Sequence, residues 1–178
     1  TPTIQRAISE SDRYTTSAAL EWMLSQIGEQ QHLEYLLNDL IQEEAVSSSQ
    51  LEGAATTTVV AKNFLKSKRE ARTPDEKMVL GNFKMMLLSW QARQKNLSID
   101  LILKLHEVGV EGIDDKQYRP GILRDQDDVV VVDVKNNILH TPPPVSGLQK
   151  RLKKLAQWAN KSHHTEGSKN YMHPLVKA

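Results

Sequence analysis

Cysteine is absent from all 178 residues, which excludes disulfides, thiolate metal sites and a cysteine nucleophile, and fits a reducing cytoplasm. Aromatic residues make up only 5% of the chain, so its core is expected to be aliphatic. A net charge of +1 removes any whole-chain electrostatic case for binding nucleic acid or a membrane surface. The longest apolar runs, such as Val129, Val130, Val131 and Val132, fall far short of the roughly 20 residues a membrane helix needs. The N-terminus carries no basic-then-apolar signal pattern. None of the eight glycines sits in a phosphate-loop pattern. These absences predict a soluble, cytoplasmic chain whose partners include neither a membrane nor nucleic acid.

What is present suits a folded domain. A chain of this length can bury roughly 70% of its unfolded surface, and 39% hydrophobic with 25% charged residues is ordinary for a globular protein. Residues 1–14 are polar and read as an extended arm. Beyond them Leu20, Met23, Leu24 and Ile27 share a helical face, with Gly28 as the stop. Leu33, Leu36, Leu37, Leu40 and Ile41 repeat at helical spacing, on a segment that could run to Ala45. After the serine run a short helix is expected through Glu52, then another over 57–66 with Val60 and Phe64 one turn apart.

Thr73, Pro74, Asp75 and Glu76 form a helix start: a hydroxyl cap, proline in the first helical position and acids in the first turn. Val79, Phe83, Met86, Leu87 and Trp90 then draw an apolar stripe. Ser98 caps a further helix with Ile99, Ile102, Leu105 and Val108 turned inward. Over 125–144 the texture changes to a β-hairpin, because β-branched residues favour strands and Lys135, Asn136 and Asn137 supply turn chemistry. Pro142, Pro143 and Pro144 stop the second strand. A helix follows with Val145, Leu148, Leu152, Leu155 and Ala159 on one face. The expected class is mainly α with one hairpin.

Several of these segments, in their order, resemble the Fic family of protein adenylyltransferases. Ser48, Ser49, Gln50, Leu51, Glu52 and Gly53 resemble its inhibitory helix, whose pattern is Ser or Thr, three residues, Glu, then Gly or Asn. The helix opening at Thr73 looks like the one that opens the catalytic core. Tyr118, Arg119, Pro120 and Gly121 ahead of the valine run are similar to the lead into the family's flap. Trp158, Ala159 and Asn160, and the closing His173, Pro174, Leu175, Val176, Lys177 and Ala178, complete the match.

The resemblance implies a Fic-like helical fold, incomplete at its C-terminus. A helical region at 1–66 would hold the inhibitory helix at about 47–53, and 73–178 would be the first part of the core, with the flap at about 125–144. The catalytic loop, with its histidine and glycine turn, is expected beyond Ala178, and His173-Pro174-Leu175 is not that loop. The chain alone is therefore expected to be inactive, with no catalytic residue and no metal ligand of its own. The complete protein would use ATP and Mg²⁺ to transfer AMP to a Ser, Thr or Tyr hydroxyl of a target protein. By the same resemblance Glu52 pairs with an arginine of the loop that would otherwise hold the γ-phosphate of ATP, Ser48 helps fix the helix, and Gly53 lets it end. Val129, Val130, Val131, Val132, Ile138 and Leu139 would form the flap, which a target segment joins as an extra strand. Homo-oligomerisation is left open.

Other readings of the same residues stand beside these. Ser49 and Glu52 also spell a capping box at a helix start. The valine run could be a buried strand pair. Lys150, Arg151, Lys153 and Lys154 could be a solvated helix face. The adjacent His163 and His164 point apart on any regular element and make no metal site. As a whole, the chain could instead be a stand-alone, antitoxin-like helical module that binds a partner without enzymatic activity.

Overall fold

The computed structural model describes residues 2–14, 29–114, 118–163 and 171–177. They are mainly helical, with one small antiparallel hairpin. Close-packed contacts divide the chain into one unit of Ile41–Lys161 and another of Thr1–Leu40 with Ser162–Ala178.

The N-terminal segment is a helix, α1 (Pro2–Tyr14), not an extended arm. Proline at the start is pre-set for helical φ, and Arg6 donates to Glu10 at 3.0 Å across one turn. The stripe of Leu20, Met23, Leu24 and Ile27 and the stop at Gly28 lie outside the described residues.

Helix α2 (Glu29–Leu51) runs without a break through the serines, where a separate short helix was expected. Serine is compatible with this position because its hydroxyl can bond back within the helix. Ser48 Oγ donates to Glu44 at 3.0 Å and Ser49 Oγ donates to the Ala45 carbonyl at 2.7 Å. Ile41, Ala45, Val46 and Ser49 are buried, while Leu40 faces solvent.

Helix α3 (Thr58–Ser67) is capped by Thr57, whose hydroxyl accepts from the Val60 amide. It buries Ala61 and Phe64 and leaves Val60 exposed. Helix α4 (Pro74–Ala92) begins as the sequence implies, with Thr73 as cap and Asp75 and Glu76 in its first turn. Its buried residues are Val79, Gly81 and Asn82 in the first half and Ala92 at its end. Trp90, at the far end, is 43% exposed and is covered on one face by the Arg93 guanidinium, 4.0 Å from the ring centre.

Val46, Ala61, Phe64 and Val79 form one apolar cluster, flanked by Leu65, Ala71 and Leu80. It joins α2, α3 and α4. Complete burial of a side chain such as Val79 is worth roughly 1.5–3 kcal/mol, so this small cluster of aliphatic residues around Phe64 helps hold the Ile41–Lys161 unit together.

Helix α5 (Ile99–Gly109), capped by Ser98, packs against α4. A Cβ added at Gly81 would overlap the Gly109 carbonyl oxygen. The two helices therefore approach more closely than alanine would permit. Ile99, Ile102, Leu105 and Val108 are only half-buried.

Strand β1 (Val131–Val132) pairs with β2 (Ile138–His140), with Val131 opposite His140 and Val132 opposite Ile138 across an irregular step. Helix α6 (Leu148–Ala159) packs on α5 and buries Ala156. Leu155 is 51% exposed, so the inward face is rotated from the one its leucine spacing suggests. A short last helix, α7, spans Pro174–Lys177. No helix among the described residues is long and apolar enough to cross a membrane.

Candidate functional site

The segment from Ser48 to Gly53 is the end of a helix. The Gly53 amide donates to the Gln50 carbonyl at 3.1 Å, and the Ala54 amide to the Ser49 carbonyl at 2.8 Å. Gly53 has φ +103, a conformation costly for a residue with a Cβ. This pair of bonds around a left-handed glycine is the Schellman closure of a helix C-terminus, and the buried Ala54 tucks in behind it. Gln50 extends the closure by donating to the Thr56 carbonyl at 2.8 Å.

This geometry settles the choice between a cap and a free carboxylate. Ser49 lies inside the last turns of α2, and its hydroxyl is committed to Ala45, so Ser49 and Glu52 form no capping box. Among the described residues, the exposed Glu52 carboxylate has no hydrogen-bond or ion-pair partner. It also stands at a helix C-terminus, where the backbone dipole disfavours a negative charge. Ser48 is half-buried, and its hydroxyl bonds along its own helix, to Glu44.

The residue that reaches another helix is Ser49. Asn82 Nδ2 of α4 donates to Ser49 Oγ at 2.9 Å. Ser49 is 0% exposed and Asn82 7%. Serine in a helix and asparagine in an apolar stripe look unremarkable in the sequence. The only hint is that Asn82 lies one turn after Val79, on the face that turns inward.

The hairpin is built from its root. Arg119 holds Asp125 with two nitrogens, at 3.1 and 2.9 Å. Arg124 donates to Asp127 at 2.9 Å and to the Gln126 carbonyl at 2.8 Å, and also reaches the Pro143 carbonyl on the returning arm. Asp127 accepts the Val145 amide at 2.6 Å. The two arms are thereby tied together at the base. Asp125 sits below its ordinary pKa because of the Arg119 hydrogen bond, and Asp127 because of the Val145 amide and then Arg124. Two of the acids ahead of the strand, Asp125 and Asp127, are therefore spent on the scaffold.

At the tip, Asp133 Oδ1 accepts the amides of Lys135 and Asn137, both at 2.8 Å, and Asn136 takes φ +62. This is the side-chain-closed turn that Asp and Asn favour. Val129 and Val130 precede the paired residues. Val129, Val130, Val131, Val132, Ile138 and Leu139 are all exposed, from 42% to 67%, so the hairpin is not a buried strand pair. Among the described residues no third strand joins either edge.

Among the described residues, no hydrogen bond or ion pair joins the Glu52 segment to the hairpin. The chain therefore presents two separate candidate sites. Comparison with family models, with curated proteins and with solved structures finds no match. What the two sites can do rests on their own chemistry.

Among the described residues, no group of three or more His, Asp or Glu could hold a metal ion. The basic run on α6 is partly structural. Arg151 donates to the Ser146 carbonyl at 3.0 Å and to the Pro144 carbonyl. Lys150 and Lys153 line an open cleft of about 680 Å³ with Asp100 and Asn160, a lining of mixed sign. His163 is buried, and His164 lies outside the described residues.

Proposed function

We propose that this chain is the regulatory and target-docking portion of a self-inhibited protein adenylyltransferase, one that transfers AMP from ATP to a hydroxyl of a target protein. The observation that carries the reading is the Glu52 carboxylate: exposed, bound to no capping amide, and standing at the rigidly closed end of a helix that is itself anchored in the core. A carboxylate so held can occupy an arginine fork and repel an anionic nucleotide. The arginine would belong to the catalytic loop that the Fic resemblance implies, outside this chain. The exposed hairpin, clamped at its root and open along its edges, suits addition of a target strand through backbone pairing.

The test uses the parent protein with that loop present. Glu52→Gly is expected to raise AMP incorporation into itself or a target above the wild-type level. Equal labelling by the two forms would refute the role given to Glu52. If neither form labels anything, the stand-alone partner-binding module becomes the better account.

A further inference from the structure

We infer that the buried hydrogen bond between Asn82 and Ser49 is the contact that positions Glu52. The inference rests on the inhibitory role proposed for Glu52 and assigns its regulation to a pair of residues that never approach the nucleotide.

Apolar packing alone leaves a helix some freedom to slide and roll, because the contacts of Val46 with Val79, Ala61 and Phe64 are non-directional. A hydrogen bond between two buried polar groups is directional, and a partner lost from it leaves a buried group unsatisfied. Asn82 Nδ2 meets Ser49 Oγ at 2.9 Å, and the same oxygen donates to Ala45 at 2.7 Å. The serine oxygen thus has one rotational state and one partner on each helix. Ser49 is also the residue whose carbonyl closes the helix end onto Ala54. One buried residue therefore links the axial register of α2 on α4 to the closure that presents Glu52 three positions later. Ser49 and Asn82 are positioning residues, and Glu52 is the group they place.

The test pairs a structural readout with an activity readout. The chain has no cysteine, so spin labels at Leu51→Cys and Gln91→Cys, both exposed positions, report the distance between the end of α2 and α4 without competing thiols. In the native background one narrow distance distribution is expected. Asn82→Leu keeps the volume and removes the donor, and it should broaden or shift that distribution while the helical circular dichroism is retained. Ser49→Ala is the second variant, in case Asn82→Leu fails to fold.

In the parent protein, Asn82→Leu with Glu52 intact should raise AMP labelling about fivefold, the population shift expected from losing ~1 kcal/mol. It should add nothing in a Glu52→Gly background. An unchanged distance distribution in folded Asn82→Leu would overturn the positioning role whatever Glu52 does. A broadened distribution with labelling raised by Glu52→Gly but not by Asn82→Leu would overturn its regulatory meaning. If the distribution broadens and neither substitution alters labelling, the role of Glu52 is what fails, and with it the regulatory half of the inference.

Discussion

Asn160 pairs with Leu97 as a strand residue would. Its Nδ2 donates to the Leu97 carbonyl at 2.9 Å, and its Oδ1 accepts the Leu97 amide at 2.8 Å. One side-chain amide satisfies both backbone groups of a residue in the α4–α5 connection and so fastens the C-terminal end of α6 to the turn before α5.

Replacing Asn160 tests that fastening. Asn160→Ala removes both bonds at a partly solvated site and should cost about 1 kcal/mol. Asn160→Asp retains an acceptor for the Leu97 amide but sets a carboxylate against the Leu97 carbonyl, so it should not restore the loss. Hydrogen exchange at the Leu97 amide is the direct check, and it should quicken in both variants.

The close crossing of α4 and α5 yields an unequal pair of glycine substitutions. Gly81→Ala gains about 1 kcal/mol in helix propensity, yet its methyl would meet the Gly109 backbone, which cannot swing aside. A net loss of roughly 1–3 kcal/mol is expected. Gly109→Ala would instead meet the Met85 sulfur at 3.1 Å, the mobile part of a flexible side chain, and should cost less. Urea unfolding of the two variants side by side measures the difference.

The third expectation concerns acid. Glu76 accepts a two-nitrogen grip from Arg69 and the Arg72 amide at 2.8 Å, and the Arg69 hydrogen bond leads in lowering its pKa to about 2 from 4.5. A carboxylate whose pKa falls on folding binds fewer protons folded than unfolded. Its contribution is therefore complete above about pH 4.5 and is lost as the pH falls through about 2. Asp125, Asp127, Asp133 and Glu111 are shifted in the same direction, so the whole protein should weaken over that acid range. Glu76→Gln should flatten the melting-temperature profile across it. An unchanged slope would mean that the Arg69 pair contributes nothing there.

Much of the architecture could be read from local chemistry. Thr73, Pro74, Asp75 and Glu76 begin α4 in the structure because capping, ring geometry and dipole act within one turn. The hairpin could be read for the same reason, since Asp133, Asn136 and Asn137 close the turn among themselves. The arm at 1–14 and the separate short helix at Glu52 could not. In the first, the polar composition concealed a helix start at Pro2 and a one-turn ion pair. In the second, serines that favour helix ends were accommodated by bonds to residues four earlier.

The sequence by itself determined the capped helix starts at Thr57, Thr73 and Ser98 and the turn of the hairpin, because each depends on neighbours within a few residues, and its low aromatic content set a largely aliphatic interior. Only the tertiary structure decided which faces turn inward. Ala61 rather than Val60, Ala156 rather than Leu155, and Asn82 within the apolar stripe are choices made by the helix opposite. Tertiary structure likewise made Ser49 a bridge and left Glu52 exposed, since a hydrogen bond spanning 33 positions depends on helix packing that local propensity does not encode.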